Sequence, residues 1–217
     1  MRNVKIYILG FILFQGISIS SYAQFFVGQI VYETTHSSLK PKLISSEDIN
    51  VKLGKEEAFC IDKNGKIKIR YNGQELVKKV FLPDSLKTFH FNRTDTVYWY
   101  DVTSPSSMEI TLVKHTINSD TINGIICNKA VFKNKMGSNT YYYNPTLLKL
   151  DTSILKLNKF EKWDSIYSTV SSVPIKIDAK IGFIETTKTI SSIKFIEPEK
   201  ENFLISEHFF LLMGVQW

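Results

Sequence analysis

Motifs that mark catalytic or redox chemistry are absent from this sequence. Only two cysteines, Cys60 and Cys127, occur among its 217 residues, and no Cys-x-x-Cys spacing is present, so a thioredoxin-like redox role has no support. The chain also contains no Gly-x-Ser-x-Gly sequence, no phosphate-binding glycine-rich loop and no Cys-His-Asn signature. These motifs identify many nucleophilic and phosphoryl-transfer enzymes. We therefore predict no catalytic residues and no cofactor, and we expect the protein not to be an enzyme.

Histidines and acidic residues are likewise too dispersed to indicate a metal or acid–base site. The four histidines lie far apart and form no HExxH-like pair and no His-x-His spacing, whereas a zinc site needs three or four converging ligands. We predict no metal site. The adjacent carboxylates Glu56-Glu57 fall in a polar run, and we interpret them as solvated surface.

Positive charge is plentiful but not concentrated. The formal net charge is +6, and removal of Arg2 and Lys5 with an N-terminal signal would leave +4. The remaining lysines are scattered along the chain, which is typical of a solvated, charge-mixed surface. Nucleic-acid binding would require clustered Lys and Arg within a recognisable motif. We therefore predict that nucleic acid is not a partner.

The N-terminus has the composition of a secretory signal. Basic residues precede an apolar run of about 14 residues, Ile6–Ile19, and Ser21-Tyr22-Ala23 then offers small residues for signal peptidase. The run is shorter than the roughly 20 apolar residues that cross a bilayer, although a retained anchor stays an alternative. We predict a signal peptide at residues 1–23 and a single antiparallel β domain at residues 24–217. The protein is then exported to the periplasm, to the outer membrane or out of the cell.

Most of the remaining chain has the composition of strands and turns. Ile, Val, Thr, Tyr and Phe are abundant, and these residues favour strands. Asn-Gly pairs, which favour two-residue hairpin turns, occur at residues 64–65, 72–73 and 123–124. The first two pairs predict a three-stranded meander over Glu57–Val80. In that register Ile61 faces Lys68, and Arg70 faces Glu75.

A second hairpin is predicted over Leu86–Val102, with its turn at residues 92–95. An alternating register across this turn groups four aromatic side chains on one face, which makes them the candidate ligand-binding residues: Phe89, Phe91, Tyr98 and Tyr100. The opposite face is also partly apolar. Such a sheet is either covered on both sides or covered on one side and lined for a ligand on the other.

The other elements follow from the same patterns. Lys159–Val170 has apolar residues at helical spacing and is the one predicted helix. No linker or repeat divides the chain, so we predict one domain. The further predicted strands are Phe26–Thr35, Met108–Thr116, Ile125–Asn134, Thr140–Asn144, Ile175–Lys180 and Phe183–Phe195.

Three segments carry a resemblance to a known family. They are Gly28–Glu33, Thr121–Ala130 with its Ile-Asn-Gly-x-x-Cys-x-Lys string, and Val173–Ile177 followed by Ile181–Phe203. The chain resembles a family of exported, uncharacterised proteins of the Bacteroidota that is similar in fold to the LolA/LppX group of periplasmic carriers. It is distantly similar to the GLPGLI-type proteins, but Ser172–Ile177 stands where they have that box and lacks both glycines.

The resemblance implies a fold and a function. The fold class it implies is mostly β, a single curved antiparallel sheet (a LolA-like open half-barrel) with one short helix across the concave side. The function it implies is non-enzymatic binding of an apolar ligand on the concave face. The implied partners are a lipid or a lipoprotein and other envelope proteins, and the family offers no catalytic residues to carry over.

Two further features leave alternatives open. The aromatic C-terminal stretch Phe209–Trp217 alternates apolar residues and resembles the last strand of an outer-membrane barrel, so a small membrane β-barrel is the alternative function. Cys60 and Cys127 both fall in predicted strands near turns, and they form a disulfide candidate in an oxidising compartment. The alternative for the cysteines is two buried thiols.

Overall fold

One sheet accounts for most of the structure. The computed structural model describes residues 25–94, 96–205 and 210–213, the last of these for its backbone alone. The predicted signal peptide lies outside the described residues. Within them the strands are β1 Gly28–Ser38, β2 Glu56–Ile61, β3 Ile67–Tyr71, β4 Leu76–Leu82, β5 Lys87–Asn92, β6 Thr96–Asp101, β7 Thr111–Ile122, β8 Ile125–Asn134, β9 Gly137–Tyr143, β10 Lys176–Ile181, β11 Ile184–Lys194 and β12 Phe210–Met213. The helices are α1 Ser46–Leu53, α2 Thr152–Leu155 and α3 Trp163–Ile166.

The sheet is open and almost entirely antiparallel. Its strand order is β12-β6-β5-β4-β3-β2-β1-β11-β10-β9-β8-β7. All neighbours pair antiparallel except β12, which runs parallel to β6 at one edge. The predicted fold class, a mostly β protein with a single antiparallel sheet, is confirmed, although the described residues contain three short α-helices where one was predicted. Phe209 and residues 214–217 of the predicted aromatic strand lie outside the described residues.

The sheet curves around the segment that joins β9 to β10, residues 144–175, which we call the connecting segment. Glu161 of this segment accepts a hydrogen bond from Lys79 of β4. Ile166 of the same segment packs in one apolar cluster with Phe132 of β8. Seven strand intervals separate β4 from β8, which is about 34 Å in a flat sheet. Residues 161–166 include a helical turn and span only about 10 Å. The sheet must therefore bend, and we call the face that it turns toward this segment the inner face.

The predicted meander forms, but its first register is shifted by one residue. Ile61 lies opposite Ile67 rather than Lys68. The reason is a longer turn than the two-residue one assumed. The Asp62 amide donates to the Lys66 carbonyl, and Gly65 adopts a left-handed φ of 74°. This arrangement places one extra residue in the loop.

The second register of the meander is shifted further. Arg70 lies opposite Lys78 rather than Glu75. The loop before β4 does not form a free two-residue turn, because the amides of Gln74 and Glu75 both donate to the Lys52 carbonyl of α1. Docking against a neighbouring helix therefore overrides the local turn preference.

The helices differ most from the prediction. The predicted helix Lys159–Val170 is reduced to the single turn of α3, because Lys162 adopts a left-handed φ of 60° just before it. Helix α1 was not predicted. Its signals are in the sequence: the Ser45 hydroxyl caps it by accepting the Asp48 amide at 3.0 Å, and Gly54 ends it. No helix among the described residues is long and apolar enough to cross a membrane.

The predicted disulfide is wrong for this structure. Cys60 and Cys127 are both buried and both free thiols. Cys60 belongs to β2 and Cys127 to β8, and four strands separate these two in the sheet. The two cysteines therefore serve as small apolar side chains of the packed strands, which was the alternative interpretation.

Candidate functional site

The hairpin β5–β6 forms, but the predicted grouping of its aromatic residues is wrong. Phe89 lies opposite Trp99, and residues opposite each other share a face of the sheet. Phe89 and Phe91 therefore lie on the outer face, and Tyr98 and Tyr100 lie on the inner one. The loop is one residue shorter than predicted because Asn92 belongs to β5, and a one-residue slip moves every side chain of a strand to the other face.

The two phenylalanines are part of a packed cluster on the outer face. Phe89 and Phe91 are buried together with Val80 and Val97, and Ile205 packs against this cluster from the C-terminal segment. Their surroundings are those of a small core. They are not brought together with the tyrosines into one site.

The tyrosines of the hairpin lie beside the connecting segment on the inner face. Tyr100 stacks on Phe160 with ring centroids 4.3 Å apart and an interplanar angle of 17°. The His90 ring lies 5.0 Å from Tyr100. Tyr98 is opposite His90 and is exposed. This end of the inner face is therefore aromatic, and the ring of Phe160 covers Tyr100 there.

A buried charge cluster lies next to these rings. The Lys79 Nζ atom donates to Glu161 Oε1 at 2.7 Å, and His90 Nε2 lies 3.2 Å from the same oxygen. The Asn158 side chain fixes this part of the chain by accepting the Glu161 amide at 2.9 Å. The Glu161 side chain is only 13% exposed, so the connecting segment inserts a carboxylate between two strands of the sheet.

Glu161 is held in its ionised form. Burial alone would raise the pKa of its carboxyl, but the Lys79 ammonium and the His90 ring lower the pKa to about 2. An acid with so low a pKa carries no proton at neutral pH and is unsuited to act as a general acid. Its chemistry here is that of a fixed negative charge that anchors Lys79 and His90.

A second ion pair lies farther along the inner face. Glu57 of β2 accepts a hydrogen bond from Lys188 of β11. Glu57 is buried, so its interpretation as solvated surface is wrong. The sequence run looked polar, but Glu57 occupies an inward-facing position opposite Tyr71.

Several tyrosines surround the two carboxylates. Tyr32 donates its hydroxyl to the Pro174 carbonyl at 2.8 Å. Burial raises the pKa of Tyr141 to about 12, and burial together with the neighbouring carboxylates raises the pKa values of Tyr71 and Tyr167. The phenols of Tyr71, Tyr141 and Tyr167 therefore stay neutral at physiological pH and can donate hydrogen bonds to a bound group.

Two adjoining spaces remain between the sheet and the connecting segment. The inner cavity has a volume of about 150 Å³ and is lined by tyrosines, Glu57 and apolar residues. The inner groove has a volume of about 460 Å³ and opens beside the start of β7. The two share four lining residues, which are Ile69, Tyr141, Trp163 and Ile166.

The lining of the inner groove is mainly apolar. Met108, Ile110 and Ile181 contribute to it, and Lys79 and Glu161 supply its buried ion pair. Sites for small molecules are typically concave, mostly apolar and equipped with a few placed polar groups. This arrangement can hold an apolar chain and orient a polar group attached to it. No group of three potential metal ligands occurs in the part of the chain that the structure describes.

Sequence reasoning found part of this site. The helical spacing in residues 159–170 marked Phe160, Trp163, Ile166 and Tyr167, and all four pack inward although the long helix is absent. Lys79, His90 and Glu161 were missed. No local signal links them, because residues 82 positions apart in sequence meet only through the fold.

Comparisons with known proteins add little to this geometry. No protein-family model matches the chain, and no curated protein matches it. Among solved structures, PNGF-II is similar over 86% of this chain and 31% of its own, with 12% sequence identity and a TM-score of 0.44. The chain thus spans about a third of PNGF-II, and a likeness this distant carries no argument about function.

Proposed function

We propose that this is an exported, non-enzymatic binding protein that holds an apolar ligand in the inner groove. The ligand is a lipid or the lipid chain of a modified protein. The observation that carries the proposal is the mainly apolar groove of about 460 Å³, which shares four lining residues with the inner cavity. Its volume is within the range of small-molecule sites.

The groove has an apolar body and a charged end. Met108 and Ile181 are exposed, although both line the groove, and an apolar chain would remove their side chains from water. The Lys79–Glu161 pair lies in the same lining. A ligand with one apolar chain and a polar head would therefore place its head beside Lys79 and its chain along Tyr141 and Trp163.

Native mass spectrometry of protein purified from its host envelope tests the proposal. The expected result is a bound species with the mass of a lipid, replaced in a saturable manner by an added fluorescent fatty acid. Repeated recovery of ligand-free protein, with no saturable uptake of offered fatty acids or phospholipids, would overturn it.

A matched pair of variants locates the site. Met108→Trp fills the groove and should weaken fatty-acid uptake by at least tenfold. Met136→Trp makes the same change at a residue that is also exposed but does not line the groove, and should bind as the unchanged protein does. Ile181→Trp provides a second groove variant should Met108→Trp fail to fold. Equal uptake by all folded variants would show that the ligand binds elsewhere.

A further inference from the structure

One end of the sheet carries exposed apolar side chains in neighbouring loops. At the end where β1 and β10 finish and β7 begins, four large apolar residues are exposed: Leu39, Leu43, Ile181 and Met108. We call these four residues and the exposed lysines that accompany them the tip. Clustered apolar residues on a surface mark contact with a protein or a membrane.

Hydrogen bonds join the loops of the tip. The Leu39 amide donates to the Phe183 carbonyl of the β10–β11 turn at 2.8 Å. The Gly182 amide of that turn donates to the Met136 carbonyl of the β8–β9 turn at 2.8 Å. Five strand intervals separate β1 from β7, which is about 24 Å in a flat sheet. The loops therefore form one continuous surface.

The tip lies at the opening of the inner groove. Met108 and Ile181 line the groove together with Asn134, and the side-chain amide of Asn134 donates to Met108 Sδ at 3.1 Å. A surface that holds the tip would therefore also hold the opening of the groove.

Lysines accompany the apolar residues. Lys180 pairs with Glu185, and the other four lysines of the tip form no ion pair in the part of the chain that the structure describes. All five are exposed, and they are Lys40, Lys42, Lys133, Lys135 and Lys180.

The remaining carboxylates near the tip are few. Glu47 lies 3.9 Å from Lys55, and Asp48 accepts a hydrogen bond from the Ser45 hydroxyl that caps α1. Glu109 is exposed beside Met108. The tip therefore combines exposed apolar surface with an excess of positive charge.

This composition fits a lipid surface better than a protein surface. Protein interfaces are enriched in aromatic residues and arginine and depleted in lysine, whereas the tip has five lysines and its four exposed apolar residues are not aromatic. Two copies of the tip would also bring like charges together. Anionic lipid headgroups instead attract lysine.

The other end of the sheet, where β1 begins, differs in charge. Phe195 and Ile196 are exposed there, but Glu197, Glu199 and Glu201 follow them in sequence. These carboxylates offset the nearby lysines, so this end has no comparable attraction for an anionic surface. It supplies matched controls with similar exposure.

We propose that the tip docks the protein on the surface of an anionic lipid bilayer. Its apolar side chains insert among the headgroups and leave water, and its lysines contact the lipid phosphates. This proposal rests on the proposed function, because a bilayer is where the lipid of the inner groove would enter or leave.

Flotation of the purified protein with vesicles tests the docking. We expect binding to mixed phosphatidylglycerol and phosphatidylcholine vesicles, weaker binding to phosphatidylcholine alone, and a smaller difference in high salt, which screens exposed charges. Each lysine near the surface should strengthen binding about fivefold. The double variant Lys40→Gln, Lys42→Gln should therefore bind about tenfold or more weakly. The control is Lys63→Gln, Lys194→Gln, which changes two exposed lysines at the other end and should bind as the unchanged protein does.

A second pair of variants tests the apolar contact. Leu43 is 70% exposed and Ile196 is 63% exposed, so neither Leu43→Asp nor Ile196→Asp removes a core residue. Leu43→Asp should weaken vesicle binding about tenfold or more, because an inserted side chain is lost, and Ile196→Asp should not. The docking is overturned if the unchanged protein does not bind vesicles, if both variants lose binding equally, or if Leu43→Asp changes only the oligomeric state in sedimentation.

Uptake of fatty acid offered in solution separates this proposal from that of the inner groove. Leu43 does not line the groove, so Leu43→Asp should keep uptake while it loses vesicle binding. Vesicle binding without uptake by the unchanged protein would reject the ligand of the inner groove and still support the docking. Uptake without vesicle binding would overturn the docking alone.

Discussion

Two buried carboxylates on the inner face are each held by a lysine from a distant part of the chain. Glu161 meets Lys79 across 82 residues of sequence, and Glu57 meets Lys188 across 131. Desolvation makes such pairs costly to form, but loss of one partner leaves a buried charge without compensation. The first pair ties the connecting segment to β4, and the second ties β2 to β11.

Glu161→Gln should therefore destabilise the protein by about 3 kcal/mol, because it leaves the Lys79 side chain, which is only 25% exposed, without its carboxylate. Glu185→Gln is the control. Its ion pair with Lys180 is about half exposed, and such surface pairs contribute about 1 kcal/mol or less. Denaturant unfolding of both variants measures the difference, and equal losses would contradict the structural role of Glu161.

The stability that Glu161 provides should depend on pH. Its pKa in the folded protein is about 2, below the ordinary value of 4.5. A carboxyl with a depressed folded pKa stabilises above its unfolded pKa, and the stabilisation is lost as pH falls through the folded value. The stability difference between the unchanged protein and Glu161→Gln should thus shrink between about pH 4.5 and pH 2. A difference that stays constant over this range, measured by unfolding at each pH, would contradict the ion pair.

At the scale of elements, turns decide how far the sequence predicts the fold. Asn123-Gly124 forms the expected two-residue turn with left-handed φ values of 50° and 79°, and Ile122 lies opposite Ile125. The predicted strand Ile125–Asn134 matches β8 at both ends. The same dipeptide at residues 64–65 gave a shifted register, because the Asp62 carboxylate accepts the amides of residues 64 and 66. The surroundings of a turn therefore decide its length.

The β2–β3 turn also packs against another element, and this contact can be tested. A Cβ atom added at Gly65 would lie 2.7 Å from Ile154 Cγ2 in α2, whereas one added at Gly124 would meet nothing within 4 Å. Both glycines have left-handed φ values, so each alanine substitution costs about 1 kcal/mol for the backbone alone. Gly65→Ala should lower the free energy of unfolding by more than Gly124→Ala does, because only the first substitution clashes with Ile154. In Ile154→Ala the excess should disappear, and an excess that persists there would show that the clash is not its cause.

The candidate site was harder to predict than the strands. Alternation and turn signals act over a few residues, and they identified most strands and the apolar residues of the connecting segment. The faces of β5–β6 depended on a loop length that differs by one residue, so Phe89 and Tyr98 were placed on the same face wrongly. The Lys79–Glu161 contact depends on the curvature of the whole sheet, for which the sequence has no local signal.

At the scale of the whole molecule, the first strand lies in the middle of the sheet. β1 pairs with β2 on one side and with β11 on the other, so residues 28–38 must meet residues 184–194 before the sheet is complete. Closing so long a loop carries a large entropic cost, and folds dominated by distant contacts fold slowly. Among the described residues no disulfide shortens the loop that has to close, since both cysteines are free.

The thiols provide a test of this arrangement of strands. Because four strands lie between β2 and β8, Cys60 and Cys127 should remain unlinked even in protein purified without reductant. Burial raises the pKa of both thiols, and only thiolates react rapidly with iodoacetamide, so the folded protein should be alkylated slowly at neutral pH. Unfolding in guanidinium without reductant should allow both cysteines to react, and mass spectrometry should show two added groups. Protein that takes up these groups only after reduction would contain the disulfide and would contradict the strand order, whereas rapid reaction of the folded protein would contradict the burial of the thiols.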